Sequence, residues 1–341
     1  MVNKRDFGRT KEGVPVTDYV ISNGALCVTV MDLGVTLRKI EFAGKDVLCG
    51  YNSVIDYEEN DGYVGATIGR YGNRIGGGTF TLNDTEYRLS QNEEDRQNTL
   101  HGGEIGFDKY VWQAAISGEN AVTFSHVSPA GDQGFPGELQ ASVTVSVTED
   151  NAVKLEYHAV SNADTVYNPT NHAYFNLHGY EGGDTLDTLL TIKADAITPV
   201  NENLIPTGEI LNVEGTPFDF RTAKTIGRDQ SLPHPQLAAA GGFDHNFVLN
   251  DHAADEAVVI AQSEKTGITM ECFTTEPGVQ LYTGIFLNAD SGKNGIPLYP
   301  HQGFCLETQH YPDSPNRSEF PSVTLKANTP FTSTTVYRFS K

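Results

Sequence analysis

Basic residues are scarce in this chain: 23 Lys and Arg stand against 44 Asp and Glu, a net charge of −21. Such a balance repels nucleic-acid backbones and anionic membranes unless a local basic patch intervenes, and no run of the sequence forms one. Cysteine is also sparse. The 4 cysteines, Cys27, Cys49, Cys272 and Cys305, lie far apart with no CxxC or zinc-ligand spacing, so they read as reduced, buried small hydrophobes. Long apolar runs are missing. Met1-Val2-Asn3-Lys4-Arg5-Asp6-Phe7-Gly8 is not followed by a signal core, and nothing approaches the length of a bilayer span, so a cytoplasmic protein with no membrane or nucleic-acid partner is expected. Amphipathic helical periodicity of ordinary length, linkers, low-complexity runs and repeats are absent too, which argues against a helical or multidomain chain.

What is present is turn chemistry between short alternating runs. The 34 glycines and 16 prolines are scattered through 341 residues and separate stretches of strand length. Asn23-Gly24 between runs from Val16 and from Ala25 to Met31 predicts a hairpin, and a third strand runs on to Phe42. Thr79 to Leu82 and Glu86 to Leu89 flank the turn Asn83-Asp84. From Leu139 to Val147 the pattern puts Val143, Val145 and Val147 on one face, as in antiparallel strands with one face on a core. Asn52 to Tyr63 reads as a long surface loop, and Gln236 to Ala240 as one helical turn. The expectation is an all-β fold, a large antiparallel β-sandwich forming a single domain over 1–341, with residues 1 to about 15 as a peripheral extension.

Several islands carry chemistry. Gly69-Arg70-Tyr71-Gly72-Asn73-Arg74-Ile75-Gly76-Gly77-Gly78 lacks the Gly-Lys-Ser/Thr and the following helix of a phosphate loop, so its glycines read as points of close backbone approach. Arg74 there is either half of a structural salt bridge or a fork of donors reaching across a cleft. His101, in Leu100-His101-Gly102-Gly103, has room around its ring. In Tyr167 to Leu177 the polar Asn171, His172 and Asn176 are interleaved with aromatics, which suits either a sugar cleft or a buried structural network. Asp244 enters a strand beside His245 and Asn246. Glu307 follows the apolar run Gly303 to Leu306, ahead of Pro312 and Pro315, and is placed at a strand end. Read alone, it is a surface carboxylate or a half-buried base of raised proton affinity.

Taken together and in order, Gly-Arg-Tyr-Gly-Asn-Arg-Ile at 69 to 75, Leu-His-Gly-Gly at 100 to 103, Thr-Asn-His-Ala-Tyr-Phe-Asn-Leu at 170 to 177, Gly-Phe-Asp-His at 242 to 245, Pro-Gly-Val-Gln at 277 to 280 and Leu-Glu-Thr-Gln-His-Tyr-Pro-Asp-Ser-Pro-Asn at 306 to 316 resemble the aldose 1-epimerase family. The resemblance runs from about residue 16 to the end of the chain. It implies a β-sandwich with a carbohydrate cleft and cofactor-free interconversion of the α and β anomers of hexoses, a reaction whose chemistry requires no metal; whether the protein is a monomer or a homodimer stays open. By matching motif, Glu307 corresponds to the catalytic base and His172 to the catalytic acid, while Asn73, Arg74, His101, Asp244 and Gln280 fall at positions that bind or orient the sugar. Tyr71-Gly72 replaces the Val-Ala common in the family, and Ala173 stands where Ser is common, which leaves open only the packing near Arg74.

These residue types suit the reaction. Opening the ring requires a base at the C1 hydroxyl and an acid at the ring oxygen. Asp244 or Glu307 is expected to raise the His172 pKa and keep the ring protonated. Competing readings are a glycoside hydrolase with Asp244 as second carboxylate, a hexose-6-phosphate 1-epimerase, a non-catalytic sugar-binding protein, and a zinc site from His101, His172 and Asp244. Retention of both Glu307 and His172, and the lack of clustered Lys or Arg near the motifs, favour the free-sugar epimerase.

Overall fold

The structure is a computed structural model that describes residues 1–59 and 62–341. Residues 60 and 61, part of the stretch expected as a long loop, lie outside the described residues. The predicted hairpins form as read. Pro15–Ser22 and Leu26–Met31 pair about Asn23-Gly24, with Ser22 opposite Cys27. Thr36–Phe42 and Lys45–Asp46 extend this sheet on one side. On the other side Val2–Arg9, largely exposed, adds an antiparallel edge strand, giving a five-stranded sheet.

A nine-stranded sheet forms the opposite layer and takes the valine stripe. Its centre is Leu139–Val147, Ala152–Ser161 and Phe331–Ser340, all antiparallel. Val143, Val145 and Val147 point into the core while Thr144 and Ser146 stay partly exposed, as the alternation requires. One continuous cluster of buried side chains joins Ile21, Val28 and Leu37 of the first sheet to Val143, Leu155 and Tyr337 of the large one. The expected all-β character holds, with antiparallel pairing throughout the named sheets. Near the end of the chain Thr324–Leu325 pairs with Thr165–Val166, and a turn separates it from Phe331–Ser340.

The third sheet carries the chemistry. In it Leu211–Asn212, Ala194–Ile197, Asp244–Leu249, Gly278–Tyr282 and Cys305–Gln309 lie side by side. Its inner face joins the common core through Phe247, Val279, Leu281 and Leu306. Because side chains alternate, Asp244, Gln280 and Glu307 fall on the other face. Glu307 is thus not at a strand end. Main-chain pairing with Gly278–Tyr282 carries the strand through to Gln309, and a polar residue is tolerated mid-strand because it faces a concavity.

The loop expected over Asn52 to Tyr63 contains a six-residue helix, α1, over Val54–Glu59. Ser53 Oγ accepts the Asp56 N–H at 3.2 Å and donates to the Asp56 carboxylate at 2.6 Å, a capping pair whose signature lies in the sequence but was outweighed by the segment's polarity. A second short helix, α2, spans Pro235–Ala240. Among the described residues no helix is long and apolar enough to cross a membrane, and none of the cysteines is bonded to another.

Candidate functional site

A concavity of about 490 Å³ opens over the polar face of the third sheet and is lined by Asn73, Arg74, His101, His172, Asp244 and Glu307 among others. These residues come from sequence positions more than 200 apart, yet the fold brings them to one place. Gln280 does not line it. Its Nε2 donates to Asp244 Oδ1 at 2.6 Å and so helps to hold that carboxylate in place.

The glycine-rich run and the Leu100-His101-Gly102-Gly103 turn interlock to place Asn73, Arg74 and His101. Asn73 N–H donates to His101 Nδ1 at 3.1 Å, and His101 N–H returns a bond to the Asn73 carbonyl at 3.1 Å. Close approach is why glycines stand here: a Cβ on Gly102, whose φ is +96°, would lie 2.0 Å from the Gly69 carbonyl oxygen. Gly102→Ala is therefore expected to destabilise the protein by about 1–3 kcal/mol in urea unfolding. Tyr71 is accommodated in the core beside this run, accepting the Ser314 N–H and donating to the Tyr311 carbonyl.

For Arg74 the salt-bridge reading holds, although the side chain also lines the cavity. Nε and Nη2 make a bidentate pair with Glu93 at 2.9 and 3.0 Å, while Nη1 lies 3.8 Å from Asp244 Oδ2 and donates no hydrogen bond among the described residues. Burial opposes the charge of Glu93, but Arg74, Asn98 and Arg96 outweigh it and hold its pKa below the usual carboxylate range. Glu93 was missed from sequence, where it sits in an undistinguished polar stretch.

Glu307 is 2% exposed. Its Oε1 stands 3.7 Å from His172 Nε2, too long for a hydrogen bond, and its buried Oε2 has no partner among the described residues. Burial, reinforced by Asp244 and opposed by Arg74, pushes its pKa well above the ordinary carboxylate value. The expectation that a carboxylate raises the His172 pKa is overturned in the ligand-free site: burial lowers it to about 4, outweighing the attraction of Asp244. Packing against Tyr174, Tyr282 and His101 supplies that burial. His101 is held neutral by burial and by the neighbouring His172 and Arg74. Since its Nδ1 accepts a backbone N–H, its ring proton sits on Nε2, which faces the cavity as a donor.

Other candidates are structural. Asn171 donates to the Gly65 and Ala66 carbonyls and Asn176 to those of Gly183 and Gln302, as the buried-network reading predicts. His245 turns to the opposite face from Asp244, toward Gln236. Tyr174, among the aromatics read as suiting a sugar cleft, lines the concavity together with Tyr63, Tyr282 and Phe286, to which the sequence assigned no role. A metal would find its donors in His101, His172 and Glu307, whose ligand atoms lie within 4.8 Å of one another; Asp244 of the zinc reading is not among them. The His101 tautomer argues against that use, because a protonated Nε2 cannot ligate.

The family model for aldose 1-epimerase matches residues 17–338. Galactose mutarotase of Bos taurus is 40% identical, covering 99% of this chain and 98% of its own, and aldose 1-epimerase of Escherichia coli (strain K12) is 36% identical over 93% of each. The crystal structure of galactose 1-epimerase from Lactobacillus acidophilus NCFM superposes with a TM-score of 0.88 at 29% identity, covering all of this chain and 98% of that one. The family model over 17–338, the full-length sequence similarity and the shared fold converge, and the chain belongs to the aldose 1-epimerase family.

Proposed function

We propose that this protein interconverts the α and β anomers of free hexoses, galactose and glucose among them, as a single cytoplasmic domain over 1–341, with Glu307 and His172 transferring the protons. The observation that carries the assignment is the buried Glu307, which lines the cavity and whose Oε2 has no hydrogen-bond partner among the described residues. A buried acceptor without a donor is rare, and a sugar hydroxyl supplies the missing proton donor.

In the ligand-free site burial favours the neutral forms of both groups, a carboxylic acid and an imidazole. The pair then holds one proton. Binding the C1 hydroxyl against Oε2, with Arg74 nearby, favours the carboxylate, and the same proton moves to His172, where it can be delivered to the ring oxygen. Glu307 takes the C1 hydroxyl proton as the bond from C1 to the ring oxygen breaks. The open aldehyde rotates about C1–C2 and recloses with the two roles exchanged. His101 Nε2–H, Arg74 Nη1 and the Asn73 side-chain amide are positioned to hold ring hydroxyls as donors, and Asp244 as an acceptor.

The lining favours a neutral sugar over a phosphorylated one. Its arginines, Arg74 and Arg96, are both tied to Glu93, and Glu59, Asp244 and Glu307 add further acid. Polarimetry on freshly dissolved α-galactose and α-glucose tests the reading, with glucose 6-phosphate as the contrasting substrate. Acceleration of the free sugars and none of the phosphate ester is expected; the reverse order would sink it. Asp244→Ala is expected to raise KM at least tenfold while kcat stays within a few-fold, because Asp244 touches hydroxyls remote from the reacting bond. Loss confined to kcat would instead place Asp244 in the chemistry.

A further inference from the structure

A second concavity, of about 230 Å³, shares no lining residue with the first. Arg38, Lys39, Tyr51, Asn52, Lys293 and Asn294 line it together with Tyr180, and no carboxylate does. In a chain of net charge −21 this is a local reversal of sign.

Its donors are only partly used. The Arg38 side chain is 9% exposed; Nε donates to Asp18 at 3.1 Å and the guanidinium lies over the Phe7 ring at 3.4 Å. Both terminal nitrogens of Arg38 donate to no group among the described residues. Lys293 Nζ donates to Asp46 at 2.9 Å and to the Leu48 carbonyl at 2.8 Å, which leaves one of its N–H groups unspent. Lys39 is half-buried and has no ion pair among the described residues. The buried Tyr51 hydroxyl has no partner either. Asp18 and Asp46, the carboxylates that neutralise Arg38 and Lys293, lie behind the lining rather than in it.

We infer that this concavity is a binding site for a phosphate group. A planar guanidinium fork with free terminal nitrogens beside lysine ammonium groups matches a dianionic tetrahedral oxyanion, which offers several acceptor oxygens and no donor it must satisfy. The ligand is either inorganic phosphate or a phosphomonoester. Its place in the chain gives binding a consequence. Lys293 and Asn294 belong to the stretch between Gly278–Tyr282 and Cys305–Gln309 that also sends Phe286 and Leu287 to the first concavity. Tyr51 and Asn52 lead into α1, whose Glu59 lines the first concavity too. Phosphate therefore ties together two walls of the sugar site from behind.

The test is thermal unfolding and titration calorimetry of the intact protein with phosphate replacing chloride at constant ionic strength. A saturable rise of Tm with phosphate is expected, since a ligand that binds the folded state stabilises it by mass action. Lys39→Glu, which leaves no buried partner stranded, is expected to weaken binding at least tenfold with epimerase activity unchanged. Arg38→Lys retains the charge facing Asp18 but removes the fork, and is expected to weaken binding as well. Equal affinity for inorganic phosphate and hexose 6-phosphate identifies the free ion as ligand, and tighter binding of the ester identifies a phosphomonoester. A Tm that follows ionic strength whatever the anion, or phosphate binding undiminished in Lys39→Glu, overturns the inference.

Discussion

Glu307→Gln is expected to lower kcat by about 10²–10⁴-fold or more, with KM changed little, because the amide keeps the shape of the carboxylate and removes its ability to take the C1 hydroxyl proton. Polarimetry of the variant beside the parent reads the effect directly; normal turnover in the variant would remove Glu307 from the base role. The same burial sets the pH profile. Activity requires the pair to carry one proton, which Glu307 holds in the free site and His172 delivers, so the alkaline limb of kcat/KM should follow the Glu307 pKa, raised well above its ordinary 4.5. Stability moves the same way. A carboxyl whose folded pKa is raised binds its proton more tightly in the native state, so its contribution is fully present below the unfolded value and lost as pH rises through the folded one. Glu307→Gln removes this dependence. It should be more stable than the parent at pH 8, and the gap should close as the pH falls toward 4.5.

Arg74→Met should be the most destabilising single change in the site. Arg74 forms a bidentate pair with Glu93 and faces Asp244, and both carboxylates are about nine-tenths buried. Removing the cation leaves Asp244 facing no cation and Glu93 paired only with the more exposed Arg96, and about 3–5 kcal/mol is the usual cost of breaking a buried pair. Urea unfolding measures it. Replacing Glu93 by Leu in the same protein removes one stranded charge and should recover part of the stability, while kcat/KM stays low because the donor facing the sugar is still missing. A double variant no more stable than Arg74→Met would show that the Glu93 pair contributes little. The cycle separates the two roles of Arg74, which no single substitution can do.

These expectations draw on features of unequal visibility. The Asn23-Gly24 hairpin, the valine stripe from Val143 to Val147 and the turn at Asn83-Asp84 are local, and a few consecutive residues determined them. The motif islands likewise named Glu307, His172, His101, Arg74, Asn73 and Asp244, which line one concavity. The capping pair of Ser53 and Asp56 was also written locally, but polarity around it hid a helix of six residues.

By itself, then, the sequence determined the β-rich antiparallel class, the family and the identity of six residues that line the cavity, because periodicity, turn chemistry and motifs are properties of neighbours along the chain. Only the tertiary structure decided where those side chains stand and how they are charged. Glu307 is mid-strand because Gln280, 27 positions earlier, pairs with it. Gln280 faces Asp244 rather than the cavity, and Glu93 holds Arg74, for the same kind of reason. The His172 pKa falls instead of rising because desolvation adds up over every group packed around the ring, and Asp244, the neighbour singled out from sequence, is outweighed by that sum.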